Sequence, residues 1–177
     1  MNIAVFCSSS DNVGEKYRKV AFALGEEIAR RGHTLVYGGA TGGLMDEVAK
    51  GAKSLDGEIV GIIPEEIVER GRLSDLPTEL YRVENLGERK AMMKEMADLF
   101  IALPGGFGTM DEMMDAIAAR KLGETEAMTV IMNIDGFYDP LVGQIERFTA
   151  EGLGKAVDKE SYAVACDIEE TLSLIEN

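Results

Sequence analysis

The stretch Leu99-Phe100-Ile101-Ala102-Leu103-Pro104-Gly105-Gly106-Phe107-Gly108-Thr109-Met110-Asp111-Glu112 decides the fold. Its first five residues form an unbroken apolar run, which reads as a strand buried on both faces. Closely spaced glycines follow, and then an amphipathic helical pattern expected to begin at Thr109. A turn from buried strand into helix exposes backbone N–H groups at a helix N-terminus, where the macrodipole favours an anion. Gly105, Gly106 and Gly108 permit close backbone approach, and Thr109 adds a hydroxyl. Glu112 then stands about one turn into the helix. An anion cradle beside a carboxylate outlines a site for a phosphorylated substrate.

The same alternation extends outward in both directions. Strand-like runs are expected at Ile3–Cys7, Thr34–Tyr37, Glu58–Ile63, Leu80–Val83, Met128–Ile134 and Tyr162–Cys166. Helical segments fall between them. In the first, ending near Arg31, Tyr17, Val20, Ala21, Leu24 and Ile28 share a face and Gly32 supplies the stop. Others run from after the loop Gly38–Gly43 to about Leu55, from about Leu86 to Ala97, from Thr109 to about Leu122, from about Pro140 to Glu151, and onward from Ile168. Residues 65–85 are less regular. Alternating β and α units with buried strands imply an α/β fold: a single-domain, Rossmann-like, doubly wound parallel sheet with helices on both faces. One domain over residues 1–177 is the expectation for this length. Ligands of such sheets bind at the carboxyl ends of the strands. Three loops fall there: Ser8–Ser10, Gly38–Gly43 and Pro104–Thr109.

Composition narrows the partners. The 177 residues are 46% hydrophobic and 28% charged, enough for a full core, and the net charge of -14 argues against nucleic acid and anionic membrane surfaces. No apolar run nears the length of a membrane span and no signal-like segment opens the chain, so a cytoplasmic location is expected. The two cysteines, Cys7 and Cys166, lie in strand-like runs and are expected as buried free thiols without metal spacing. The single histidine, His33, sits at a helix-to-strand turn, which leaves little room for a His-based triad and none for a multi-His metal site.

Residue types in the candidate site allow two readings each. Gly38–Gly43 fits neither a dinucleotide fingerprint nor a P-loop, and is open between a phosphate or sugar contact and a tight turn. Thr109-Met110-Asp111-Glu112 matches a capping box, Thr as cap and Glu at the third helical position, so Glu112 is either a cap or a functional carboxylate. Arg89 and Lys90 open a helix whose dipole they oppose, either as a solvated cluster paired with Glu88 or as functional cations. Six of the ten methionines (Met92, Met96 and Met110 among them) lie on the helices flanking strand Leu99–Leu103, as core filling or as an adaptable helix–helix surface for a two-fold dimer.

Taken together, these motifs resemble the LOG (Lonely Guy) family, cytokinin riboside 5′-monophosphate phosphoribohydrolases also labelled lysine decarboxylase-like. The family pattern PGGxGTxxE stands here as Pro104–Glu112, and its Arg-Lys element as Glu88-Arg89-Lys90. Phe6–Ser10, Leu35–Gly39, Gly43–Met45, Ile63-Pro64 and Asn133–Pro140 match in order, over nearly the whole chain. The resemblance implies hydrolysis of the N-glycosidic bond of AMP or an N6-prenylated AMP to free base and ribose 5-phosphate. It implies Arg89 and Glu112 as the catalytic pair, and Ser9, Ser10, Gly39, Lys90, Gly105, Gly106, Gly108 and Thr109 as substrate-binding residues. It also implies a homodimer with the site near its interface, and chemistry that needs no metal or other cofactor. A related fold serves molybdenum-cofactor carriers, which is the alternative: binding without turnover. Lysine decarboxylation finds no supporting constellation for pyridoxal phosphate.

The chain departs from the family pattern at the rim of the expected pocket. Gly87 replaces a histidine two residues before Arg89, and Ala119-Arg120-Lys121 replaces a stretch that carries Trp and Gln. Gly42 and Asp46 also differ from the usual residues. These changes bear on base preference and leave the Arg89/Glu112 pair intact.

Overall fold

Strand residues alternate between two apolar layers, and that alternation builds the molecule. Ile3, Val5 and Cys7 point into one core cluster, and Ala4 and Phe6 into the other. The computed structural model describes residues 1–154 and 160–174, so residues 155–159 and 175–177 of the expected domain lie outside the described residues. The strands are β1 (Asn2–Phe6), β2 (Thr34–Tyr37), β3 (Ile59–Pro64), β4 (Glu79–Val83), β5 (Leu99–Ala102), β6 (Met128–Met132) and β7 (Tyr162–Ala165). The helices are α1 (Glu15–Arg30), α2 (Gly43–Ser54), α3 (Glu65–Glu69), α4 (Leu86–Met96), α5 (Phe107–Leu122), α6 (Asp139–Ala150) and α7 (Ile168–Ser173).

All seven strands pair in parallel in the order β4-β3-β2-β1-β5-β6-β7. The chain winds outward from β1 in one direction and then from β5 in the other. The carboxyl ends of β1 and β5 therefore flank the switch point, where loops diverge and leave a crevice. Residues of α1, α2, α3 and α7 pack into the first core cluster, and those of α4, α5 and α6 into the second. The expected α/β, doubly wound Rossmann-like fold with helices on both faces is what the chain adopts.

α1 and α2 cross unusually closely. A Cβ on Gly25 would fall 2.0 Å from the Val48 carbonyl oxygen, and one on Gly51 would fall 2.0 Å from that of Phe22. Glycine at these two positions lets the helix backbones meet without intervening side chains.

Two expectations need correcting. α5 begins at Phe107 with Gly106 as its N-cap, two residues before Thr109. Cys166 is exposed, because β7 ends at Ala165; only Cys7 is buried. His33 stands in the turn between α1 and β2, its N–H bonded to the Ile28 carbonyl at 3.0 Å. No described helix is long and apolar enough to cross a membrane.

Candidate active site

The two glycine-rich loops do different jobs, and hydrogen bonding separates them. At the start of α2, the Gly43 N–H donates to Asp11 Oδ1 at 3.1 Å and the Leu44 N–H to the Ser8 carbonyl at 2.8 Å. That helix end is already satisfied by the loop after β1. The rest of Gly38–Gly43 is a bend: Gly39 has φ +65°, its carbonyl accepts from the Ser74 N–H at 3.0 Å, and Ala40 bridges Leu73. At the start of α5, by contrast, no side chain caps Gly106. The first N–H groups of a helix have no partner one turn back, so this end presents an open set of donors.

Packing fixes the α5 end in place. Thr109 is buried beneath Gly105, where a Cβ would fall 2.0 Å from Thr109 Oγ1. From the other side, the buried Tyr138 donates its hydroxyl to the Leu103 carbonyl at 2.8 Å. Tyr138 is in turn seated by Asn133, whose Oδ1 accepts the Tyr138 N–H at 2.7 Å. Asn133–Pro140 thus supports the strand end from which the glycine turn departs.

Glu112 is 4% exposed and pairs with Arg89, itself 9% exposed. Thr109 occupies the third helical position of α5, so the spacing to Glu112 is one helical turn along a face and not a capping box. The capping expectation for Glu112 therefore fails: the helix starts too early. Arg89 likewise turns away from Glu88 and solvent, and its Nη2 donates to Glu112 Oε1. Its Nε is buried without a partner among the described residues. Gly38 leaves the guanidinium room, since a Cβ there would lie 3.2 Å from Arg89 Nη1. Burial pushes the Glu112 carboxyl above the ordinary glutamate range, and the Arg89 charge only partly offsets it. Burial also pushes the Cys7 thiol up, with the neighbouring Glu112 charge adding to the effect, so Cys7 is not a thiolate nucleophile.

These groups surround one cavity of about 420 Å³, within the usual range for small-molecule sites. Its walls are Cys7–Ser10 after β1, Gly106, Gly108, Thr109 and Glu112 of α5, Arg89 of α4, Met45 of α2, and Arg72. A second depression of about 330 Å³ adjoins it at Ser8 and Ser10, and Gly105, Tyr17 and Phe137 line it. Of the residues expected to bind substrate, Ser9, Ser10, Gly106, Gly108 and Thr109 come together at the main cavity, and Gly105 lies just beside it. Lys90 and Gly39 do not line it. The Lys90 ammonium is 2.9 Å from Asp111, one rung of a ladder in which Lys94 also meets Asp115 at 2.8 Å. Arg72 escaped the sequence reading: it lies in an irregular segment with no motif, and only the folded chain brings it to the cavity.

Comparison with known proteins agrees with this picture. The family model described as possible lysine decarboxylase matches residues 45–175. A cytokinin riboside 5′-monophosphate phosphoribohydrolase of Rhodococcoides fascians is 37% identical over 175 residues, covering 98% of this chain and 88% of that protein. A probable and an assigned enzyme of the same name in Oryza sativa subsp. japonica are each 37% identical over 150 residues, 85% of this chain; the matches span 66% and 62% of those proteins. The chain thus spans just under two thirds of the length of the rice relatives. Among solved structures, the molybdenum cofactor carrier protein of Chlamydomonas reinhardtii superposes with a TM-score of 0.75 at 23% identity, covering 99% of this chain and 95% of that one. The molybdenum cofactor binding protein of Rippkaea orientalis gives 0.73 at 23% identity over 99% and 94%. At that identity the structural likeness speaks for the fold. With its ordered motifs, the family model and full-length similarity to the Rhodococcoides fascians protein, the chain belongs to the LOG family, whose model carries the description possible lysine decarboxylase.

Proposed function

We propose that this protein hydrolyses the N-glycosidic bond of a purine nucleoside 5′-monophosphate, AMP or an N6-substituted AMP, to free base and ribose 5-phosphate. One observation carries the reading: a buried carboxylate–guanidinium pair, Glu112 with Arg89, shares a cavity with the open N-terminus of α5. The relatives named phosphoribohydrolases support it. In this reading the 5′-phosphate docks on the N–H groups around Gly106–Thr109, and that remote binding energy positions the sugar. Glu112 lies one turn further along the helix, beside the anomeric carbon.

The C1′–N9 bond breaks and its electron pair leaves with the base. Positive charge grows on the sugar as in glycoside hydrolysis, and the ionised Glu112 stabilises it in a site where water screens little. A water oxygen bonds to C1′, Glu112 takes a water proton, and the departing base nitrogen is protonated from solvent. The Arg89 charge favours the ionised form of Glu112, partly offsetting burial, and its guanidinium at the cavity wall faces the ribose. A carrier that only binds a phosphorylated ligand gains nothing from burying a carboxylate next to that anion.

The active form is a homodimer. α4 and α5 carry half-buried methionines, Met92, Met96, Met110 and Met114, and Phe107 at the lip of the cavity is 97% exposed. Such a surface suits a second copy of the chain.

Incubation of the purified protein with AMP should release adenine and ribose 5-phosphate in equal amounts, seen by chromatography. Absence of free base from AMP, prenylated AMP and the other common nucleoside monophosphates, with tight nucleotide binding retained, would replace the hydrolase with a carrier.

A further inference from the structure

Arg72 is the cation in the cavity that the catalytic pair does not use. It belongs to the irregular segment between α3 and β4, which folds back over the loop after β2. The Thr41 N–H donates to the Arg72 carbonyl at 2.8 Å, and Leu73 bridges Ala40. The side chain then crosses to the cavity wall, where Nη2 donates to the carbonyls of Ser9 at 2.9 Å and Thr41 at 2.6 Å. Gly42 makes this crossing possible, since a Cβ there would fall 2.6 Å from that nitrogen.

Of the two arginines that line the cavity, Arg72 is the one that faces no carboxylate among the described residues. Arg18, Arg30, Arg82, Arg89 and Arg147 each face a carboxylate. Arg72 makes no ion pair among the described residues, although the chain carries 32 acidic side chains. Its anchoring through one nitrogen fixes the guanidinium plane and leaves Nη1 and Nε as donors for whatever fills the cavity.

The order of elements along the sheet edge says which part of a ligand it meets. α5 rises after β5, the serine loop after β1 comes next, and the loop after β2 lies beyond, with Met45 and Arg72. A nucleotide held by its phosphate at α5, with its anomeric carbon beside Glu112, runs along this edge away from β5. We infer that Arg72 donates hydrogen bonds to the base of the bound nucleotide, over an apolar contact from Met45, and so selects the base and stabilises it as a leaving group. This rests on the nucleotide hydrolase reading given above.

Arginine is a donor only and stays protonated. It therefore fits the acceptor nitrogens N3 and N7 of a purine, onto which the electron pair released from C1′–N9 spreads. It shares that charge without giving up a proton; the proton that neutralises the base still comes from water. Arg72 thus contributes to the leaving group, which the Glu112/Arg89 pair does not reach.

The test compares Arg72→Met, which keeps the length and apolar stem, and Arg72→Lys, which keeps the charge, across AMP, GMP, IMP, CMP and UMP. The Met variant is expected to lose roughly 10- to 100-fold in kcat for purine substrates, to lose much less for pyrimidines, and to bind ribose 5-phosphate as wild type does. The Lys variant is expected to recover part of the purine rate. Equal loss on every base would make Arg72 a loop strap only, and weaker ribose 5-phosphate inhibition would make it a phosphate contact; either result overturns the assignment. A wild-type protein that cleaves none of these nucleotides and no prenylated AMP overturns the hydrolase reading itself, whereas an active wild type with an unchanged base profile in Arg72→Met overturns this inference alone.

Discussion

Glu112 feels two opposing influences, burial that favours its neutral form and Arg89 that favours its charged form, and burial is the larger. The proposed chemistry needs the ionised carboxylate. The acid limb of kcat/KM against pH is therefore expected above the ordinary glutamate range, with activity rising as pH increases through it. A limb at ordinary glutamate values would mean that the carboxylate is hydrated and does not work in the buried pair. The same shift has a stability consequence of defined sign. Because the fold holds this proton more tightly than the unfolded chain, Glu112 favours folding below the ordinary glutamate range, and that contribution is lost as pH rises through its raised value. Glu112→Gln removes the charge and leaves Arg89 buried without a counter-ion, so Tm should fall. It should abolish turnover while leaving ribose 5-phosphate binding, measured by calorimetry, largely intact.

Helix ends show where sequence pattern and structure part company. The letters Thr109-x-x-Glu112 read as a capping box, yet the capping occurs elsewhere. Asn85 Oδ1 accepts the Glu88 N–H at 3.0 Å while the Glu88 carboxylate returns to the Glu84 N–H at 2.9 Å. Asp167 and Glu170 repeat the arrangement at α7, at 2.8 Å and 2.7 Å. The three sites share one spacing, and what distinguishes them is where the helix begins. At α5 that is settled by Leu103 held on Tyr138 and Thr109 wedged under Gly105, contacts between residues far apart in the chain. Strand identity, winding and the glycine cradle were legible because they rest on local apolar runs and on glycine. That Lys90 meets Asp111 was not legible, because Asp111 sits on another helix, and Arg72 was invisible because nothing periodic surrounds it. The glycines of the cradle are correspondingly unequal. Gly105→Ala drives a methyl into Thr109 and should cost about 1–3 kcal/mol of stability. The methyl of Gly108→Ala meets nothing within 4 Å beyond its own stretch of helix. It should keep or raise Tm and weaken ribose 5-phosphate binding at least severalfold, which thermal unfolding and calorimetry would separate.

The whole molecule carries a net charge of -14 and binds, in the proposed reading, an anion. Its long-range field repels the nucleotide, so attraction is confined to the cavity, where Arg72, Arg89 and the α5 terminus lie together. The exposed Phe107 and the half-buried methionines of α4 and α5 make a second copy the expected neighbour of that cavity. Light scattering should give twice the monomer mass, and Met114→Glu should halve it. The close crossing of α1 and α2 has a mechanical consequence. α1 grows from the loop Ser8–Gly14, whose serines wall the cavity, and α2 carries Met45 of the same wall. Two backbones locked at Gly25 and Gly51 make these two parts of the wall a single stiff jaw, unable to part from one another. In the proposed reading, the room that a nucleotide needs to enter is then expected from the facing side, where α4 and α5 meet across the pairs Arg89–Glu112, Lys90–Asp111 and Lys94–Asp115 instead of across touching backbones.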